Sequence, residues 1–170
     1  MNKKKWGIGI GIVVALGVIG SFLPESEVKE QEPVAQETSK EEVQETLTKE
    51  ELIERLEGYE TMYSNNVSGL EKVASEGDQL EMQKSFASTR DACSATFGLL
   101  YDLKKGYDAK STEYKAINEL QTAFNSLEDA CKNGIDYIDK NEFKYLEKYE
   151  DNIEQSNLFI ERYNEAKNNL

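Results

Sequence analysis

Downstream of Leu47, apolar residues recur at steps of three and four in four successive runs, with no proline among them. That spacing matches the 3.6-residue period of one helix face. The only two prolines, Pro24 and Pro33, lie upstream. No stretch alternates with period two, so strands are not indicated. These features confine the chain to the all-α class.

The first run is Leu52, Leu56, Tyr59, Tyr63, Val67, Leu70 and Ala74. Thr48-Lys49-Glu50-Glu51 opens it as a capping box, with Leu47 and Leu52 at the spacing of a hydrophobic staple. Glu76-Gly77-Asp78 ends it. Asp78 to Glu81 reads as a second capping box, before the stripe Met82, Phe86, Thr89, Cys93, Phe97, Leu100 and Leu103. A turn region from Gly106 to Ser111 precedes Tyr114, Ile117, Gln121, Phe124, Leu127, Cys131, Ile135 and Ile138. Asp139 to Glu142 reads as a third capping box, followed by Leu146, Tyr149, Ile153, Ser156, Ile160, Tyr163 and Lys167.

Each segment is about 28 residues, or ~42 Å at helical rise. Short loops make neighbours antiparallel, so residues 47–170 are expected to form an up-down-up-down four-helix bundle. Tyrosines hold many stripe and border positions, which predicts an aromatic core with hydroxyls at its edge. Gly58, Gly69, Gly98 and Gly134 fall inside helices, where each marks a close crossing or a kink. Phe86 to Cys93 resembles Phe124 to Cys131, a short match that fits duplication of a hairpin or shared helix geometry.

The N-terminus carries a different signal. Lys3, Lys4 and Lys5 precede a charge-free apolar run from Trp6 to Leu23, which Pro24 stops. A run of ~18 residues is near the shortest that spans a bilayer and is long for a signal-peptide core. The best cleavage point, after Val18-Ile19-Gly20, is a poor one. No cysteine near the end of the run supports a lipoprotein. Residues 1–23 are therefore expected to be an uncleaved membrane anchor, with residues 6–23 in the bilayer. A cleaved signal and a secreted product is the alternative. The lysines orient the anchor, with the N-terminus cytoplasmic and the bundle extracytoplasmic. Gly7 and Gly11 form a small-xxx-small pair able to support weak self-association of the anchor. Residues 24–46 are acidic, proline-punctuated and poor in apolar residues, as expected of a flexible, self-repelling stalk.

Cys93 and Cys131 are the only cysteines. An even count in an exported chain favours a disulfide, and two buried hydrophobes is the other reading. Register separates the two. A turn centred near Asp108 sets Cys93 against about residue 123, with Cys131 ~12 Å further along the axis. That exceeds the reach of a bridge. A second helix continued through Tyr107 sets Cys93 against about residue 129. Tyr107 continues the Leu100, Leu103 spacing, so the second register and the disulfide are expected.

Catalysis draws little support. The chain has no histidine, which removes imidazole ligands, the commonest general base and Ser-His-Asp chemistry. Two cysteines on separate helices lack zinc-site spacing, and Glu-x-x-His di-metal pairs are impossible. Carboxylate pairs for glycoside hydrolysis arise by chance among 33 Asp and Glu residues. Asp139-Lys140-Asn141 lacks the glycine and distal glutamate of a calcium loop. Asn66-Val67-Ser68, a formal glycosylation sequon, falls mid-helix. No catalytic residue, metal or cofactor is expected.

The formal net charge is -13 at pH 7, which disfavours nucleic acid and anionic lipid surfaces as partners of the exported body. Two function classes follow. One is a non-enzymatic protein-interaction or regulatory module held at the cell envelope. The other is a bundle that binds an apolar or envelope-derived ligand within its core. A filled core favours the first and an internal chamber the second.

Overall fold

The computed structural model describes residues 46–170. The expected anchor, all but the last residue of the expected stalk, and the Gly7/Gly11 pair lie outside the described residues. Within them the chain is all-helical, with four helices and no strand: α1 (Lys49–Glu76), α2 (Gln79–Lys104), α3 (Thr112–Lys140) and α4 (Phe143–Lys167). No helix among the described residues is long and apolar enough to cross a membrane.

Local chemistry sets most helix ends. At α1, the Glu51 amide donates to the Thr48 hydroxyl at 3.3 Å and the Thr48 amide donates to the Glu51 carboxylate at 2.9 Å. This is the expected capping box. The two Thr48 donors hold the Glu51 carboxyl below its ordinary range. Leu47 packs against the core beside the cap. Gly77 closes α1 at φ 73, a left-handed conformation that glycine adopts without penalty. Asp78 then caps α2, accepting from the Leu80 and Glu81 amides at 2.9 and 3.1 Å. The Glu81 carboxylate turns to Lys84 instead of back to the cap, so this end is a single cap and not a box.

The third expected capping box is corrected. Helix α3 runs on through Lys140, and Asn141 at φ 51 closes it with its N–H on the Tyr137 carbonyl at 2.9 Å. Helix α4 starts after Glu142, which makes no side-chain cap. Asp139 is still helical and accepts from the Gln83 amide at 2.6 Å. Asparagine tolerates the left-handed region, so the N-cap of α4 is Glu142, three residues later than the Asp-x-x-Glu pattern implies.

Side-chain contacts show that each helix reverses the one before it. Tyr107, just past α2, lies beside Leu47 at the start of α1. The Phe86 ring of α2 abuts Gly134 of α3, while Gln121 of α3 donates to the Phe97 carbonyl at 3.2 Å. The Ser156 hydroxyl of α4 donates to the Ala123 carbonyl of α3 at 2.8 Å. The described region is thus a helical bundle.

Helix α3 lies at its centre. Three heptad rows on it are buried: Ile117, Phe124 and Cys131; Leu120, Leu127 and Gly134; and Ala116, Ala123 and Ala130. The alanine row leaves room for α4 to approach until Ser156 touches the α3 backbone. Gly134 is a close crossing, because a Cβ there would sit 2.8 Å from two carbons of the Phe86 ring. Gly58, Gly69 and Gly98 face open space, so only one of the four interior glycines has the packing role expected of them.

Candidate functional site

The two cysteines do not form the expected site. Cys93 and Cys131 are free thiols, each fully buried. The reason is register. Helix α2 stops at Lys104, and the amides of Lys105, Gly106 and Tyr107 beyond it bond to carbonyls three residues back. The turn runs from 105 to 111 with Asp108 at its midpoint. Tyr107 packs against the core, but from this turn and not from the helix. The contacts of Phe97 with Gln121 and Phe86 with Gly134 set Cys93 level with about residue 126, roughly 7 Å short of Cys131 along the axis. Interhelical separation adds to that offset, so the two lie beyond disulfide reach. Burial pushes both thiols up to about 12, assisted at Cys93 by Glu128 and at Cys131 by Cys93. A thiol held protonated is a poor nucleophile and a poor metal ligand. Among the described residues no cluster of three or more His, Cys, Asp or Glu side chains is arranged to hold a metal ion.

Several polar groups of the interior join helices, whereas Thr96 bonds within α2 and the Glu119 Oε2 is buried without a partner among the described residues. Ser156 gives its one proton to the Ala123 carbonyl, so Tyr63 donates to Ser156 at 2.7 Å. Tyr63 also meets Phe124 edge-on at 5.7 Å. Burial raises the Tyr63 pKa, and the Ser156 bond only partly offsets it. At the other end of the α1–α4 seam, Glu60 accepts from Tyr163 at 3.3 Å and pairs with Lys167. The Lys167 ammonium stands 5.3 Å from the Tyr163 ring centroid. Burial raises the Tyr163 pKa, and neighbouring Glu60 adds to it. On α2, Lys104 donates to Asn118 and Gln121 at 3.0 and 2.5 Å and faces the Tyr114 ring. Desolvation lowers its pKa.

What remains available is a surface. Between Arg55 and Lys72 on α1, and between Lys148 and Arg162 on α4, the chain has no basic residue. These stretches carry Glu57, Glu60, Glu71, Glu150, Asp151, Glu154 and Glu161. Glu57 and Glu60 act on Tyr163, and Glu71 and Glu150 on Tyr149, so α1 and α4 carry them along a common seam. Of the seven, only Glu60 forms an ion pair among the described residues. Elsewhere the pattern differs: Glu81, Asp102, Asp129 and Asp136 each sit within 3.1 Å of a lysine one turn away.

Beside the seam, an open groove follows the outer face of α4. Tyr149, Ile153 and Leu158 supply its apolar part, and Glu150, Asp151, Glu154 and Glu161 its acidic part. Leu158 is 44% exposed. Asn157 lines this groove and also lies 3.4 Å from the Tyr63 hydroxyl, which fixes the groove next to α1. The net charge of the sequence implies acidic surface without singling out this face. The readable signal was the missing lysines and arginines.

Set against protein-family models, curated proteins and solved structures, the chain matches none.

Proposed function

We propose that the chain is a membrane-tethered interaction module, anchored through residues 6–23, spaced by residues 24–46, and presenting its helical bundle outside the cytoplasm. It performs no catalysis of its own and acts by binding another protein. The observation that carries this reading is the contrast between interior and surface. Tyr163, Phe124, Leu52, Leu56, Leu100 and Ile117 are fully buried in the core, and the buried Tyr63 and Ser156 hydroxyls bond from helix to helix. The unpaired charge and the open apolar groove lie on the outside. Lys3 to Lys5 ahead of the apolar run support the orientation. The alternative, an apolar or envelope-derived ligand held inside the bundle, needs space that these side chains occupy.

Two measurements test the reading. Protease added to intact, wall-stripped cells is expected to digest residues after Pro24, and protection of the bundle would overturn the topology. Photoreactive residues placed at the exposed positions Leu99, Phe143 and Leu158 in the native envelope are expected to give a discrete protein adduct from at least one. No adduct from any position, together with a small apolar molecule co-purifying with the chain, would favour the alternative.

A further inference from the structure

We propose that the groove along α4, beside its seam with α1, docks a lysine- or arginine-rich amphipathic segment of the partner protein. The inference rests on the interaction-module reading and names the chemistry of the partner. Glu150, Glu154 and Glu161 repeat at helical spacing along the groove, over about 16 Å, or three turns. A partner helix with basic residues at every turn meets them in register. Ile153 and Leu158 offer its apolar side a contact that charge alone does not supply. Charge complementarity selects this occupant over others. A second copy of this chain would bring the same carboxylates face to face and be repelled, and so would an anionic lipid surface. Glu81, Asp102, Glu128, Asp129 and Asp136 on α2 and α3 are each paired with a lysine within a turn. Among the described residues Glu150, Asp151, Glu154 and Glu161 form no ion pair, which suits them to a cation from a partner.

The test uses the full chain in nanodiscs of zwitterionic lipid, with the signal of empty discs subtracted. The probe is a fluorescein-labelled amphipathic helical peptide of leucine and lysine, read by anisotropy. Saturable binding is expected. The triple variant Glu150→Gln, Glu154→Gln, Glu161→Gln should weaken it about tenfold or more. A control of equal charge change, Glu81→Gln, Asp102→Asn, Asp129→Asn, should alter it less than about twofold, as screened distant charges do. Leu158→Ser should weaken it even at high salt, because the apolar contact is not screened. Equal losses from both triples would reduce the effect to bulk charge and overturn the docking site. So would absence of saturable binding, or equal binding of a leucine–glutamate peptide. Protein adducts from Leu99 or Phe143 in the envelope, with no peptide binding at α4, would sink this site and leave the interaction module standing.

Discussion

The Tyr63 hydroxyl donates to the Ser156 hydroxyl at 2.7 Å, and through it α1 is tied to the backbone of α3, where Ser156 donates to the Ala123 carbonyl. Ser156 is fully buried and Tyr63 is 5% exposed. Three helices therefore meet in two hydrogen bonds away from water. A hydrogen bond of this kind contributes about 1 kcal/mol net, but leaving one buried partner unmade costs about 1–3 kcal/mol.

Removing either hydroxyl is expected to cost unequally. Tyr63→Phe deletes a donor and leaves Ser156 bonded to Ala123, a loss of about 1 kcal/mol. Ser156→Ala removes both bonds at once and leaves the Tyr63 hydroxyl only the long contact to Asn157 at 3.4 Å, a loss of about 2 kcal/mol. Urea unfolding of both single variants and the double gives the coupling, expected at about 0.5–1.5 kcal/mol. Strict additivity would show that the two hydroxyls do not act together.

Glycine 134 and glycine 98 should respond to alanine with opposite signs. At Gly134 the new Cβ meets the Phe86 ring at 2.8 Å, inside the packed α2–α3 contact. Overpacking there should cost about 1–3 kcal/mol. Phe86→Leu should recover part of the loss in the double variant. At Gly98 the Cβ meets nothing, so alanine should stabilise by up to ~1 kcal/mol through helix propensity. Thermal unfolding of the two variants checks both signs.

The sequence makes α1 legible, misses buried Thr96 of α2 and Ala166 of α4, and reads the central helix only in half. Leu52, Leu56, Tyr63 and Leu70 are the buried residues of α1, and all four fall on its single apolar stripe. Helix α3 is enclosed on several sides, so Ala116, Leu120, Ala123, Ser126, Ala130 and Gly134 are buried as well. Alanine, serine and glycine carry little apolar signal, and their burial follows from which helix becomes central. Tyr107 misled for a related reason: it continues the apolar spacing because it packs against the core, yet the backbone beneath it has already left the helix. The acids of the groove all lie on α4 and are legible in the sequence, but their place beside α1 depends on a contact between distant parts of the chain that no local pattern encodes.

The thiols predict both a reactivity and a pH dependence. Cys93 and Cys131 should resist alkylation in the native state and both react in urea, read by mass. Rapid native alkylation of either would contradict its burial. The folded thiols hold their protons to about 12, well above the ordinary thiol value of about 9. The unfolded state therefore releases protons first as the pH rises. Stability should be constant below the unfolded pKa and fall as pH climbs from about 9 towards 12. The raised pKa values of Tyr63 and Tyr163 act with the same sign above about 10. Cys93→Ala with Cys131→Ala should flatten the first part of that decline in urea midpoints measured between pH 7 and 11.

Aspartate substituted at Leu56 and at Ile153 should separate the interior of the bundle from its edge. Leu56 is 0% exposed. A charge there loses about 1.5–3 kcal/mol of apolar burial and adds an unpaired buried carboxylate, which costs several kcal/mol more. Such a loss is comparable with the whole stability of a domain this size. Leu56→Asp should abolish cooperative unfolding in the full chain. Ile153 packs against the core but also lines the open groove of α4, so a carboxylate there can reach water. Ile153→Asp should leave the chain folded, lower its urea midpoint, and keep a helical circular dichroism spectrum. If Ile153→Asp unfolds the chain as completely as Leu56→Asp, the α4 face is closed to solvent and the groove is not a surface feature.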